Sequence, residues 1–273
     1  MGIKEYIHFI RIEHSVFSLP FAYVGVVLAG VFSIRVLLLV AIAATAARTC
    51  GFAMNRLMDL PMDRLNPRYV KRELVSGAMS TRDAKVILLA AIFIFLASAY
   101  LLNITAFLIS PIMILAFYLY NRTKRLIAVS HIFLGFAIGF VVIAGYVAGR
   151  GALPITAAPY MIMVFYAFWM AGFDVIYQNQ DMEFDSRMGI RSIPVLTKGK
   201  IIPFLLLFYT MASISIFLAA TGALELVSAV AATALIFASI PFVGRMNTDD
   251  IFKYFNAPIP LVILLFFVLQ ILL

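Results

Sequence analysis

Residues 86–121 read VILLAAIFIFLASAYLLNITAFLISPIMILAFYLYN, 36 consecutive positions without a charged side chain. A helix climbs about 1.5 Å per residue, so about 20 apolar residues cross a hydrocarbon layer roughly 30 Å thick. The run is too long for one crossing and is expected to divide near Asn103, the amide in its middle. It is continuously apolar rather than alternating, which argues against lipid-facing β-strands. The rest of the chain agrees with that stretch. Of 273 residues, 64% are hydrophobic and 12% charged, and the mean hydropathy is +1.05. A soluble domain carries about 25% charged residues, so a conventional water-facing surface cannot be built. The expected fold is all-α, a polytopic membrane bundle forming a single domain over 1–273. Nine transmembrane helices are expected near 16–34, 36–55, 86–102, 104–120, 126–148, 152–173, 201–221, 223–243 and 257–273.

Charge orients the bundle. With the N-terminus inside, the inner connections are 1–15, 56–85, 121–125, 174–200 and 244–256, and they hold 18 of the 21 Lys and Arg residues. Arg35 and Arg150 fall outside, and Arg48 lies within the second span. Positive residues concentrate on the cytoplasmic side of membrane proteins, so the expected location is the cell membrane, with the N-terminus and the busy loops cytoplasmic. The net charge of +8 then reports orientation and anionic ligands, not nucleic acid. A single cysteine, Cys50, excludes an intramolecular disulfide framework and a multi-cysteine metal cluster. The first apolar span shows no clear cleavage site for a signal peptide. Residues 2–14 suit a short amphipathic helix at the inner interface.

Carboxylates beside membrane spans need a reason, and 6 of the 13 acids fall in two clusters. The first reads Asn55-Arg-Leu-Met-Asp59-Leu-Pro-Met-Asp63, followed by Arg64, Asn66, Pro67 and Arg68. The second runs from Asp174 through Tyr177-Gln-Asn-Gln-Asp181-Met-Glu-Phe-Asp185. Each holds Asp-x-x-x-Asp with a polar residue four positions ahead, and the offset between them is 122 residues at all three positions. One such pair is readily a set of solvated loop charges. Two copies in register, one after the second span and one after the sixth, suggest two related halves presenting acids to one inner vestibule. Residues four apart share a helix face, and facing acid pairs repel unless a cation lies between them. With no Cys/His cluster, hard oxygen ligands suit Mg2+, which keeps waters and bridges to phosphate oxygens. A diphosphate is the natural occupant, with Arg64, Arg68, Lys71, Arg72, Lys124 and Arg125 nearby to meet it.

At these residues the chain resembles the UbiA superfamily of intramembrane prenyltransferases. Asn55, Asp59 and Asp63 match its first aspartate motif, and Tyr177, Asp181 and Asp185 its second. The match extends through Asn66-Pro67-Arg68, Arg72-Glu-Leu-Val-Ser-Gly77, Gly189 and Ser192-Ile193-Pro194. It is most similar to the branch that prenylates 4-hydroxybenzoate or related acids in quinone biosynthesis. The resemblance implies an enzyme that moves a polyprenyl group from its diphosphate to an aromatic acceptor within the lipid bilayer, releasing pyrophosphate. It implies Mg2+ on Asn55, Asp59, Asp63, Asp181 and Asp185. Contacts to the diphosphate would come from Arg64, Arg68, Arg72, Lys124, Arg125 and Tyr177. Positive-inside bias alone would also account for Lys124 and Arg125. Asp174 aligns with an acid suggested to orient or deprotonate the acceptor, which makes Asp59, Asp181 and Asp174 the catalytic set. Asp174 and Asp181, seven residues apart, would share a helix face at roughly 10 Å. Arg48 meets either an acidic acceptor or Asp174.

Three expectations concern local geometry. Pro61 cannot sit in a normal helix interior, so Asp63 is expected past the helix end, in a turn. Asp181 and Asp185 are expected on one continuous helical face, with Glu183 pointing away. His8, His14 and His131 show no ligand spacing and read as packing residues, and Gly135, Gly139, Gly145 and Gly149 as close helix contacts. Other acceptors (a dihydroxynaphthoate, a haem, a chlorophyllide or a glycerol-lipid) remain open. So does a transporter, against which the acids cluster at one face only.

Overall fold

The computed structural model describes residues 8–10 and 15–273. The chain is 81% helical and has no strands among the described residues. The long elements are α1 (Ser15–Leu28), α2 (Ile34–Asp63), α3 (Thr81–Leu102), α4 (Ile104–Thr123), α5 (Ser130–Gly139), α6 (Val141–Arg150), α7 (Ala158–Gln178), α8 (Met182–Arg187), α9 (Ile202–Ala219), α10 (Ala223–Ser239) and α11 (Pro258–Leu272). Eight helical segments are long and apolar enough to cross a bilayer, as a multi-pass membrane protein requires. The α5 and α6 pieces form one of these segments, broken at Phe140, and α1 supplies a shorter ninth apolar helix.

The uncharged run divides where the sequence places the break, and Asn103 is the reason. Its backbone is extended, its side chain accepts from the Ala106 N–H (2.8 Å) to cap α4, and its amide donates to the Val147 and Ala148 carbonyls (2.9 and 3.1 Å). A half-buried amide with its hydrogen bonds met inside the protein is tolerated where an unpaired one is not. The two helices that meet there are the most exposed in the bundle. Leu89, Phe93, Leu108 and Ile112 face outward, as lipid-facing surfaces should.

Several boundaries move. The first span ends at Leu28, short of residue 34, because Gly30 takes a left-handed φ of 71° and turns the chain. The second continues past residue 55 to Asp63, so the first acidic motif is helical throughout. The third begins at Thr81, with Ser80 accepting from the Asp83 N–H (3.0 Å) as its cap. Charged first and last turns extend these helices beyond the apolar stretch read from the sequence. Two helical spans carry the acidic motifs, 34–63 and 158–187, and each is 30 residues long. They are the equivalent elements of the two related halves.

Most of the interfacial helix expected over 2–14 lies outside the described residues, as does His14. Within it, Phe9 and Ile10 are buried against Ala53, Leu60 and Leu74. They pack on the protein and not on the bilayer. The main core lies between α1, α7, α9, α10 and α11, where Phe21 stacks on Tyr166 (centroids 4.0 Å apart) beside Phe165 and Trp169. The Trp169 indole N–H donates to Asn256 Oδ1 (2.6 Å). Gly135 and Gly145 mark the tightest crossings. A Cβ on Gly135 would strike the Ala167 carbonyl of α7, and one on Gly145 the Ala22 carbonyl of α1. Both glycines let backbones touch.

Candidate active site

The last turns of α2 and the inner end of the 158–187 segment face each other across a polar cavity of about 190 Å³. Asn55, Asp59 and Asp63 recur every four residues on one face of α2, and all three line it. Asp63 corrects the sequence expectation. Pro61 lies inside α2, in its final turn, and Asp63 is the last helical residue, buried and not in a turn beyond the helix. Pro61 has no N–H to offer the Leu57 carbonyl one turn back, yet the helix closes beyond it, where the Arg64 N–H donates to the Leu60 carbonyl (3.1 Å).

The second motif also departs from expectation. Asp181 and Asp185 do not share an unbroken α-helix, because Asn179–Asp181 form a 3₁₀ turn between α7 and α8. The tighter turn re-aims the chain, and both acids still enter the same cavity, buried. Glu183 points away as expected and pairs with Arg187 on the surface (3.6 Å).

Each acid already holds a partner. Asp59 accepts from Lys124 Nζ (2.5 Å) and Arg125 (2.7 Å). Asp63 pairs with Arg72 (2.5 Å), and Asp181 with Arg68 (2.7 Å), Asn66 (3.0 Å) and the Tyr69 hydroxyl. Gln178 donates to Asp185 (3.3 Å). The Asn55 amide, oriented so that both its atoms are satisfied, donates to Asp59 (3.1 Å) and accepts from Lys124 (2.7 Å). Burial lowers the pKa of the Lys124 ammonium from its ordinary range, and the neighbouring Asp59 carboxylate opposes that effect. The Tyr69 phenol is pushed up, first by burial and then by Asp181 beside it. The Arg72 guanidinium stacks 3.4 Å above the Tyr69 ring, and Arg68 lies 4.9 Å over Tyr177.

Five carboxylates line this cavity (Asp59, Asp63, Asp174, Asp181 and Asp185) against three cations, Arg72, Lys124 and Arg125. The lining is net negative, so an anion enters only with cations of its own. Among the described residues no three His, Cys, Asp or Glu side chains converge into a chelating group. The donor set is one of separated hard oxygens, suited to an ion that takes one or two carboxylates each and fills its shell with water and ligand oxygens.

Above the polar cavity lies an apolar chamber of about 400 Å³, and Asn55, Arg72, Tyr120, Asp174 and Tyr177 belong to the walls of both. Small side chains give it room: Ala43, Ala47 and Gly51 on α2, with Ala144 and Ala148 on α6. Arg48 enters its wall, lies 5.0 Å over Phe52 and donates to Ser18 (3.3 Å). Asp174 accepts a hydrogen bond from His131 Nδ1 (2.7 Å). The sequence reading passed over His131 as a packing residue, because a lone histidine 43 positions from its partner leaves no spacing signal. Tyr69 and Gln178 were missed for the same reason: their roles come from a loop and a helix end, not from periodicity. Arg64 is not brought to the cavity. It follows the last residue of α2, about 100° round the helix from Asp63, and is exposed.

A sequence model of the UbiA prenyltransferase family matches residues 18–269. A 4-hydroxybenzoate octaprenyltransferase of Francisella tularensis subsp. mediasiatica (strain FSC147) is 28% identical over 179 residues, covering 66% of this chain and 62% of that protein. A protein of the same name from Shewanella sp. (strain W3-18-1) is 27% identical over 61% of this chain and 58% of its own length. The matched stretch thus spans about three fifths of these curated relatives. Among solved structures, the apo form of a UbiA homolog from Aeropyrum pernix K1 superposes with a TM-score of 0.85 at 33% identity, covering 95% of this chain and 98% of that one. A UbiA homolog from Archaeoglobus fulgidus bound to GPP and Mg2+ shares the fold, with a TM-score of 0.74 at 22% identity over 98% of this chain and all of that one.

Proposed function

The chain belongs to the UbiA prenyltransferase family, and from that membership we propose that it transfers a polyprenyl group from its diphosphate to 4-hydroxybenzoate or a related aromatic acid, releasing pyrophosphate. The observation that carries this reading is the pair of cavities with a common wall, one polar and one apolar. A prenyl diphosphate is amphiphilic in the same sense. Its head suits the polar cavity and its isoprenoid tail the chamber, with the reactive allylic carbon at the wall of Asn55, Tyr120, Asp174 and Tyr177.

The donor set fits Mg2+. Asp59, Asp63, Asp181 and Asp185, with Asn55, would hold it, and what it supplies when bound is charge neutralisation at the leaving diphosphate. Arg68, Arg72, Lys124 and Arg125 exchange carboxylate partners for diphosphate oxygens and hold the negative charge that develops as the allylic C–O bond breaks. The bonding electrons leave with the diphosphate. The apolar chamber keeps water from the allylic cation, and Tyr120 and Tyr177 present electron-rich faces to it. Arg48 offers a cation for the acceptor carboxylate. Asp174 takes the phenol proton, and the ring carbon beside the hydroxyl forms the new C–C bond with the allylic cation. The ring regains aromaticity as its own proton passes to the departing pyrophosphate and Asp174 returns the first proton to the oxygen.

The direct test uses purified protein in lipid nanodiscs with Mg2+, a series of prenyl diphosphates and a panel of aromatic acids. Prenylated acid and pyrophosphate should appear in equal amounts, read by mass spectrometry and a pyrophosphate assay. Absence of a prenylated product with every aromatic acid would overturn the proposed acceptor class. The active-site loops are proposed to face the cytoplasm, on the distribution of Lys and Arg. In a Cys50-free background, cysteines placed near Arg68 and Lys198 should resist impermeant reagents in intact cells and react after lysis. Rapid labelling of both in intact cells would reverse the orientation.

A further inference from the structure

We propose that His131 is a positioning residue that orients the Asp174 carboxylate toward the acceptor, an inference that rests on the aromatic prenyl transfer proposed above. His131 is fully buried on α5. Its Nδ1 lies 2.7 Å from Asp174 Oδ2, and its Nε2 meets no hydrogen-bond partner among the described residues. An imidazole removed from water with one nitrogen unsatisfied is destabilising. The Asp174 bond is the one polar interaction that accounts for its place. Asp174 lines both cavities, whereas His131 lines neither. The histidine therefore acts through the acid and not on a substrate.

The helix packing fixes this reach. Gly135 sits against Ala167, and Gly139 against Met163 and Ala167, with backbone in contact. The register is antiparallel, and one turn before Gly135 it brings His131 opposite the stretch of α7 that carries Asp174. An ionised carboxylate can only accept, so the shared proton belongs to His131 Nδ1. Nε2, which meets no acceptor for a second N–H among the described residues, carries a lone pair in the neutral imidazole. One carboxylate oxygen is thereby tied back to α5, which fixes the rotamer and leaves the other oxygen for the acceptor hydroxyl. A base held in one geometry contributes far more than a rotating one.

The test compares His131→Leu with His131→Asn, whose Nδ2–H can stand where the imidazole Nδ1–H does. Wild-type enzyme is first shown to prenylate an aromatic acid; if it does not, the proposed function fails before His131 is tested. The Leu variant should lose roughly 100-fold in kcat with KM for both substrates within about twofold, and the Asn variant should recover most of that loss. Unchanged kcat in the Leu variant, an equal loss in both variants, or a loss confined to KM would each overturn the assignment. The ¹⁵N spectrum of the wild-type imidazole provides a check that does not depend on either variant folding. It should show a protonated Nδ1 and a bare Nε2, and the reverse tautomer would overturn the proposal.

Discussion

Asp59→Asn and Asp181→Asn should each lower prenyl transfer by roughly 10³-fold, the scale expected when a group that supports transition-state charge is removed, while the protein keeps its fold. Asparagine is the informative replacement. Asp59 holds Lys124 and Arg125 at once, and removing one member of a partly buried ion pair leaves its partner's charge uncompensated and destabilises the protein. An alanine at 59 would therefore mix lost chemistry with lost stability. The amide oxygen of Asn keeps a hydrogen bond to Lys124, which also retains Asn121 (3.1 Å). Turnover, the Mg2+ dependence of prenyl diphosphate binding, and thermal melting should be read together. Near-normal turnover in either folded variant would remove that acid from the proposed mechanism. The same variants test why the acids are paired in this structure. Each one frees cations for the diphosphate while weakening the metal site, so binding of diphosphate without Mg2+ should improve as Mg2+-dependent binding declines.

The second large effect is expected at Asp174. Asp174→Asn should reduce acceptor-dependent transfer by about 10²–10⁴-fold, the range for a positioned general base, and leave Mg2+-dependent binding of prenyl diphosphate within a few-fold of wild type. The separation follows from position. Asp174 belongs to the wall common to both cavities, and its carboxylate accepts from His131, whereas Asp59, Asp63 and Asp181 are held by Lys and Arg side chains. Transfer and binding must be measured separately, by product mass and by equilibrium binding of a non-hydrolysable prenyl diphosphate analogue. If both collapse in a folded protein, Asp174 belongs to the diphosphate site or the scaffold, and the proposed role at the acceptor is lost.

The sequence was most legible where a requirement is repeated along the chain. A bilayer demands about 20 apolar residues per crossing, so composition and run length were enough to specify a helical bundle of about nine spans. Two acidic motifs at a constant offset of 122 residues indicated two related halves facing one vestibule, because a helix turns every fourth residue to nearly the same side. Helix ends were less legible. Charged residues in the first and last turns of α2 and α3 hide the helical continuation from a hydropathy reading, and Pro61 suggested an end that α2 passes by one more turn.

What only the tertiary structure decided is which groups meet. Nothing local to residues 130–139 tells that His131 faces Asp174, since that bond depends on the close approach Gly135 allows against Ala167. The 3₁₀ turn at Asn179–Asp181 likewise alters the helix carrying the second motif without any proline or glycine to announce it. Nor does the sequence show that Arg64 turns outward while Arg72, eight residues on, reaches Asp63. The physical reason is the range of the forces involved. Hydrophobic length and helical period are local properties that a sequence carries on its face, whereas ion pairs and hydrogen bonds act over about 3 Å between residues from 9 to 115 positions apart, and packing alone brings those together.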